Sequence, residues 1–283
     1  MKTFEADRLE SLFRFFDYTG GIETLKNKRL RFKTADQFND PYELLPSSFI
    51  PDINFQELSN EEILDEMKNV DIYPLNSLPP GTLGKLPLEA IENGLRPLLE
   101  KNIKSYSEGV RQVFENYRKT SFINCLTHRV DILRMWSDYA DKGKGIAIEF
   151  EVSVERDNFF RCAKEVKYHN SPPKLYTSLS ELFVKGYEAS KPENWKSLFE
   201  YFSYSKSDDW KNEEEWRVIM PDMSTDTYCD YTFSPEDILT VYLGYNLLNK
   251  EEIINEVRNL NKNIKIIQVE VNNHEHGLIM KNI

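Results

Sequence analysis

The stretch FINCLTHRVDILRMWSDYADKGKGIAIEFE, at residues 122–151, decides the predicted fold. It opens with the strand pattern FINCL and closes with IAIEF, a second strand pattern of alternating side chains. Between them, RMWSDYA predicts one or two helical turns, which Gly143 and Gly145 bring to an end. The sequence therefore predicts two strands that flank a short helix, and the other segments are interpreted around this centre.

The short helix carries two large aromatic side chains. Trp136 and Tyr139 are three residues apart and share a helix face, with polar Ser137 and Asp138 between them. Two interpretations are open. Either the rings belong to the hydrophobic core, where most large aromatic side chains lie, or they wall a pocket in which Ser137 and Asp138 supply hydrogen-bonding groups.

Composition and charge narrow the class of protein. The chain has 283 residues and a net charge of −11, which argues against a general affinity for nucleic acid but leaves room for a local basic groove. No apolar run reaches the roughly 18 residues of a membrane-spanning helix, and the N-terminus lacks the apolar region of a signal peptide. Three widely spaced cysteines indicate a reducing compartment, so we expect a cytoplasmic protein that does not bind a membrane.

Strand and helix patterns elsewhere complete the predicted fold. Apolar patterns at 12–16 and 30–33 predict two early strands, and the C-terminal segment predicts a strand, a helix and a strand, typical of a crossover unit. Residues 51–118 carry helical apolar spacing around a loop at 74–87, with too few apolar residues for a core of their own. We therefore predict an α+β fold with a mixed, largely antiparallel central sheet and flanking helices. In this prediction residues 1–283 form one domain, and 51–118 are a helical insertion.

A polar turn follows the second early strand. The sequence Asn39-Asp40-Pro41 predicts a turn, because Asn and Asp side chains bond to nearby backbone and proline fixes φ. One interpretation is a plain surface turn. The other is a polar loop that places Asn39, Asp40 and Glu43 beside a cleft.

A second polar segment, KSDDWKNEEEWRVI, lies at residues 206–219. Its end predicts a strand, and strand side chains repeat every two residues. Glu213, Glu215 and Arg217 are therefore expected to point to the same side. Charges at these positions are unfavourable unless solvent covers them or a site uses them, and both interpretations stay open.

Four segments together resemble the bacterial domain-of-unknown-function family 2971. They are LFRFF at 12–16, FNDPYE at 38–43, CLTHRVDILRMWSDYADKGKGIAIEF at 125–150 and KSDDWKNEEEWR at 206–217. The chain departs from the family's usual pattern at Asp138, where histidine is common. The resemblance implies a bacterial protein and does not by itself imply an activity.

The order of a first strand, a short helix, a second strand and a late strand with glutamate is also similar to ADP-ribosyltransferases. This similarity implies a split sheet, NAD as a small nucleotide ligand, and a protein or nucleic-acid acceptor. It implies Glu215 or Glu213 as the carboxylate that stabilises positive charge on the sugar when the nicotinamide–ribose bond breaks. It implies Arg14 or Arg217 as the ligand of the pyrophosphate. The remaining substrate-binding residues of this interpretation are Asn39, Asp40, Trp136, Ser137, Tyr139 and Lys206.

The predicted function is that of a bacterial effector or toxin-like enzyme, suited to phage defence, which uses NAD as an ADP-ribosyltransferase or NAD glycohydrolase. Two other classes stay open. In a metal-dependent nuclease or phosphoesterase, Asp40, Glu43, Glu213 and Glu215 would form a carboxylate cluster for Mg²⁺. In a non-enzymatic interaction module, the same polar motifs would serve as turns and caps. No structural metal site is predicted, because the HEH sequence at 274–276 has no third ligand in view.

Overall fold

The computed structural model describes residues 3–51, 53–54, 56–68, 70, 79, 82, 85–189, 192–221 and 226–283. The chain divides into two compact units. The first unit comprises residues 1–39, 119–170 and 206–283, and the second comprises residues 40–118 and 171–205. The segment predicted as a helical insertion therefore shares the second unit with a later segment. Much of the loop predicted at 74–87 lies outside the described residues.

Ten strands of the described chain pair into one branched sheet. The strands in chain order are β1 (Ser11–Phe16), β2 (Arg29–Thr34), β3 (Ser121–Thr127), β4 (Ile146–Glu151), β5 (Lys164–Glu165), β6 (Lys167–His169), β7 (Ser205–Ser207), β8 (Glu215–Pro221), β9 (Tyr228–Thr232), β10 (Ile238–Leu243), β11 (Lys265–Val271) and β12 (Leu278–Asn282). The main path runs β12-β11-β10-β4-β1-β3-β2-β9, with β8 on β3 and β5 on β8, while β6 and β7 form a separate two-stranded sheet.

Strand directions and helices define the fold class. The helices are α1 (Tyr18–Asn27), α2 (Pro46–Phe49), α3 (Asn60–Lys68), α4 (Leu88–Ala90), α5 (Arg96–Thr120), α6 (Leu133–Tyr139), α7 (Leu179–Ala189), α8 (Pro192–Ser203) and α9 (Lys250–Leu260). Strands β10 and β11 are parallel, and α9 connects them as the predicted crossover. The other pairs of the large sheet are antiparallel. The predicted α+β class with a mixed, largely antiparallel sheet is confirmed. No helix in the described part of the chain is both long and apolar enough to cross a membrane.

The branch of the sheet lies at β3. Strand β8 pairs along the whole of β3, from Ser121 to Thr127. The other edge of β3 pairs with β1 at Thr127 and with β2 at Phe122 and Ile123. Strands β1 and β2 therefore diverge over the middle of β3. In the gap, Arg14 of β1 donates from one terminal nitrogen to the Cys125 carbonyl oxygen at 2.6 Å and to Asn124 Oδ1 at 3.0 Å.

Both faces of the large sheet are buried at its centre, as β1 illustrates. Leu12 belongs to a larger core cluster, whereas Phe13 and Phe15 belong to a smaller one, because successive strand side chains point to opposite faces. Helices α1 and α9 contribute Ile22, Leu25, Ile253 and Val257 to the larger cluster. Helix α6 contributes Trp136 to the smaller cluster, and Ala140, which directly follows the helix, belongs to it as well. Helices therefore cover each face of the sheet at its centre.

The connection from α6 to β4 needs glycine at two positions. Gly143 has φ +78°, a left-handed backbone conformation that glycine adopts readily. At Gly145 the constraint is contact, because a Cβ atom there would lie 1.9 Å from the Phe16 carbonyl oxygen. These glycines let the chain turn sharply behind the helix, so α6 stays close to β1.

Replacement of Gly145 tests this close approach. Gly145→Ala should lower the free energy of unfolding by about 1–3 kcal/mol or more, because the new methyl group overlaps backbone that cannot move aside alone. Urea denaturation followed by circular dichroism measures the change. The control is Gly109→Ala in α5, where a Cβ meets no atom within 4 Å and alanine favours the helix by up to about 1 kcal/mol. Equal unfolding midpoints for the two variants would contradict the packing described here.

Candidate active site

Trp136 fixes α6 against the sheet. Its side chain is fully buried, its indole nitrogen donates to the Val130 carbonyl oxygen at 2.7 Å, and its ring meets Phe15 edge-on with centroids 5.1 Å apart. Trp136 is therefore a residue of the hydrophobic core, the first of the two roles predicted for it. Tyr139, one helical turn further on, is only partly buried and lines a cavity.

This first cavity has a volume of about 300 Å³ and lies within the first unit. Its charged lining residues are Arg14, Lys33, Lys206, Glu213 and Glu215. Apolar side chains complete the walls, among them Phe13, Phe15, Phe38 and Met135. The cavity thus combines apolar surface with a few convergent polar groups, as small-molecule sites usually do.

Four charged side chains form a buried network at the first cavity. Lys206, Glu213, Glu215 and Arg217 are 9%, 4%, 3% and 0% exposed, respectively. The ammonium of Lys206 donates to Glu213 Oε2 at 2.6 Å and to Glu215 Oε2 at 2.7 Å. Arg217 donates from Nε to Glu215 Oε1 at 2.7 Å and from a terminal nitrogen to Glu215 Oε2 at 3.2 Å. Lys206 therefore bridges the two carboxylates, and Glu215 is held between two cations.

Neutral side chains extend the network. The Tyr139 hydroxyl donates to Glu213 Oε1 at 2.6 Å and accepts from Asn39 Nδ2 at 3.4 Å. The Tyr168 hydroxyl accepts from the Glu215 backbone nitrogen at 2.8 Å. The ring of Trp210 lies 4.9 Å from the Lys206 ammonium, close enough for a cation–π contact. Lys206, Glu213, Glu215 and Tyr139 thus each contact at least two other residues of the site.

The charges of Glu215 and Lys206 are stable at neutral pH. Burial opposes ionisation of Glu215, but Arg217 and Lys206 outweigh it and hold the pKa of the Glu215 carboxyl well below its usual range. Burial likewise opposes the charge on Lys206, but Glu215 and Glu213 raise the pKa of its ammonium above the usual value. Burial and Glu213 raise the pKa of the Tyr139 hydroxyl, so Tyr139 remains a donor to Glu213.

The structure brings several of the predicted site residues together and separates others from them. Those that line the first cavity are Arg14, Asn39, Tyr139, Lys206, Glu213 and Glu215. Arg217 is fully buried and holds Glu215, Trp136 is in the core, and Ser137 is exposed on α6. Asp40 is the first residue of the second unit, where its Oδ1 accepts from the Tyr42 backbone nitrogen at 2.9 Å in the predicted turn.

Glu213 lies in a different secondary-structure element from the predicted one. It was expected on the same strand as Glu215, but it ends the 3₁₀-helix Asp208–Glu213. Glu214 then adopts a left-handed conformation with φ 46° and turns the chain into β8. Strand alternation therefore does not align the two carboxylates. They converge because both accept from Lys206.

Some lining residues were not singled out from the sequence. Lys33 has a recognisable signal, because Arg29, Arg31 and Lys33 place three cations on one side of β2. Cys125 lines the cavity beside Glu215, and burial raises the pKa of its thiol. No spacing rule marks Cys125, since it sits in an ordinary strand pattern and reaches the site only through the pairing of β3 with β8.

A second cavity of about 580 Å³ also lies within the first unit. Arg14, Phe15, Lys33 and Tyr139 line both cavities. In the second cavity, Arg29 and Arg31 pair with Asp230 at 3.2 and 3.0 Å. Among the described residues, no group of three or more His, Cys, Asp or Glu side chains is arranged to hold a metal ion.

Comparison with known families agrees with the sequence resemblance. The family described as "Protein of unknown function (DUF2971)" matches residues 135–218. This range contains α6 from Met135 onward and the segment from Lys206 to Arg217, and it confirms the predicted resemblance to that family. No curated protein and no solved structure matches the chain.

Removal of the central carboxylate tests the buried network. Glu215→Gln should lower the free energy of unfolding at neutral pH by about 3–5 kcal/mol, because it removes the anion that two buried cations share. The neighbouring Glu214 is partly exposed and pairs with Arg129, so Glu214→Gln should cost less than about 1 kcal/mol. Urea denaturation of both variants measures the difference.

The pH dependence gives the same experiment a second readout. Because the pKa of Glu215 is depressed in the folded state, its stabilisation is fully present above the ordinary glutamate pKa of about 4.3 and is lost as the pH falls below it. The stability difference between wild type and Glu215→Gln should therefore shrink as the pH is lowered from 6 towards about 2. A difference that stays constant across this range would contradict a charged Glu215.

Proposed function

We propose that the first unit binds NAD and cleaves the bond between nicotinamide and ribose, as an ADP-ribosyltransferase or NAD glycohydrolase. In this reaction the bond from the ribose C1′ carbon to the nicotinamide nitrogen breaks, and neutral nicotinamide leaves with the bonding electrons. Water or an acceptor group on a protein or nucleic acid then attacks C1′ and loses a proton. The observation that carries the proposal is the carboxylate of Glu213, which lines the first cavity between Lys206 and Tyr139.

Glu213 is the better candidate for the carboxylate that faces the ribose. The transition state carries positive charge on the sugar, and a nearby carboxylate stabilises it. Glu215 is already held by the two cations Arg217 and Lys206, which reduces its ability to stabilise a third positive charge. Among the described residues Glu213 forms one ion pair, with Lys206, and its other oxygen accepts from a neutral phenol. These contacts favour Glu213 over Glu215 as the carboxylate that faces the ribose.

The other network residues would position Glu213. Lys206 and Tyr139 each bond one of its two oxygens, which sets the plane of the carboxylate. Arg217 holds Glu215, which in turn would hold Lys206 in place. Phe13, Phe15 and Phe38 line the same cavity and would offer apolar surface to the nicotinamide ring.

In the cell, the proposed activity is that of a bacterial effector. An enzyme that consumes NAD or modifies a macromolecule suits a bacterial effector, such as a toxin or a phage-defence protein. We propose a cytoplasmic location for it. The state of the cysteines is in keeping with this location, because Cys125, Cys162 and Cys229 are all free thiols.

An isosteric substitution at Glu213 tests the chemistry. Glu213→Gln keeps the shape of the side chain and removes its charge, so NAD consumption should fall by at least about a hundredfold, the usual scale for a lost electrostatic partner of the transition state. The assay follows release of nicotinamide from NAD, first in buffer and then with cell extract that supplies acceptors. Thermal unfolding of the same sample shows whether the variant is folded.

Glu214→Gln is the matched control, since the adjacent carboxylate pairs with Arg129 and does not line the first cavity. It should retain wild-type turnover. Wild-type protein that releases no nicotinamide with any extract would overturn the proposal. Cleavage of added RNA or DNA that stops with EDTA would favour a nuclease, and full activity in folded Glu213→Gln would remove Glu213 from the mechanism.

A further inference from the structure

The two cavities of the first unit adjoin at four side chains. Arg14, Phe15, Lys33 and Tyr139 line both of them, and we call this set the junction. Arg14 reaches the junction from the gap between β1 and β2, and Lys33 lies near the end of β2. A ligand that extends from one cavity into the other must therefore pass two cationic side chains.

The two cationic side chains of the junction can still bind an anion. The guanidinium of Arg14 donates to an amide oxygen and a backbone carbonyl oxygen, both uncharged. Its Nε is buried and has no hydrogen-bond partner among the described residues. A buried donor without a partner is costly, and an anionic oxygen would satisfy it.

Lys33 independently indicates that the junction can bind an anion. Its side chain is exposed, and in the described part of the chain it forms no ion pair. The other two cations of β2 differ, because Arg29 and Arg31 are both paired with Asp230. Lys33 is thus the cation of this strand that is available to a ligand, and it lines both cavities together with Arg14.

We infer that the junction binds the diphosphate of a dinucleotide whose second nucleoside occupies the second cavity. The inference rests on the proposed function, since Glu213 places the reacting ribose in the first cavity. That cavity, at about 300 Å³, is at the small end of the range for ligand sites. The second cavity offers about 580 Å³, enough to place a second nucleoside beyond the diphosphate.

The second cavity has the groups that a nucleoside needs. Phe16 contributes an aromatic ring to its lining, and Asp17, Thr19 and Asp230 contribute oxygen atoms that can accept from ribose hydroxyls or a base amino group. The ion pairs of Asp230 hold this carboxylate in place. The site would therefore distinguish a dinucleotide from a mononucleotide by contacts on both sides of the diphosphate.

Calorimetric titration with three probes tests the inference. Wild-type protein should bind ADP-ribose and ADP, and should bind adenosine, which lacks phosphate, more weakly. Lys33→Gln should raise the Kd for ADP-ribose and for ADP by about tenfold, the effect of losing one charge-assisted hydrogen bond. The same substitution should leave the Kd for adenosine unchanged. Arg14→Gln should also weaken ADP-ribose binding, but Lys33→Gln is the decisive variant because Lys33 forms no ion pair with any residue that the structure describes.

Lys265→Gln is the matched control, an exposed lysine on β11 that lines neither cavity. Loss of ADP-ribose affinity equal to that of Lys33→Gln would overturn the inference, as would absence of ADP-ribose binding by wild-type protein. The inference and the proposed function can fail separately. Binding that depends on Lys33 without NAD consumption would remove only the proposed function. NAD consumption with an unchanged KM in Lys33→Gln would remove only the diphosphate site.

Discussion

The ion pairs of Glu215 are the interaction on which the site depends. This carboxylate is almost completely buried between Arg217 and Lys206, each within 2.7 Å. Charges at this depth are costly unless every one has a partner, so the surrounding elements must keep their places. Through Lys206, the same ion pairs locate Glu213, and through Glu213 they locate the hydroxyl of Tyr139. A single buried anion thus links β8, the segment before it and α6.

The cavities beside this network lie where the sheet branches. Strands β1 and β2 pair with opposite ends of the same edge of β3, and the middle of that edge accepts Arg14 instead of a strand. If β1 or β2 paired along the whole of this edge, its backbone would occupy the gap. Because the strands diverge, two cavities can meet beside β1 and β2, with cationic side chains where they adjoin. The branch at β3 therefore determines both how β1 and β2 pair with β3 and where the cationic side chains lie.

Local pattern was sufficient to predict much of the fold. Alternation at 12–16 and 146–150 located two strands, and the glycines at 143 and 145 marked the turn between α6 and β4. The parallel crossover through α9 also followed from local periodicity. The two compact units were beyond this kind of reasoning, because residues 171–205 join 40–118 through contacts between segments distant in sequence.

The candidate site was predictable in its residue types and less so in its geometry. Charge density between Lys206 and Arg217 indicated Glu213 and Glu215, but strand periodicity placed Glu213 on β8, and the left-handed turn at Glu214 was not visible in the pattern. Trp136 could not be assigned to core or pocket, since a helix face does not reveal which neighbour it meets. Lys33 and Cys125 join the cavity only through strand pairing across the sheet.

We propose that the buried network holds the carboxylate of Glu213 against the reacting carbon of a bound nucleotide. A crystal structure of the protein in complex with ADP-ribose measures this directly. We expect the C1′ carbon released from nicotinamide to lie in van der Waals contact with the Glu213 carboxylate, while Lys206 still bridges Glu213 and Glu215. An ADP-ribose molecule bound outside the first cavity, or a C1′ carbon turned away from Glu213, would contradict this proposal.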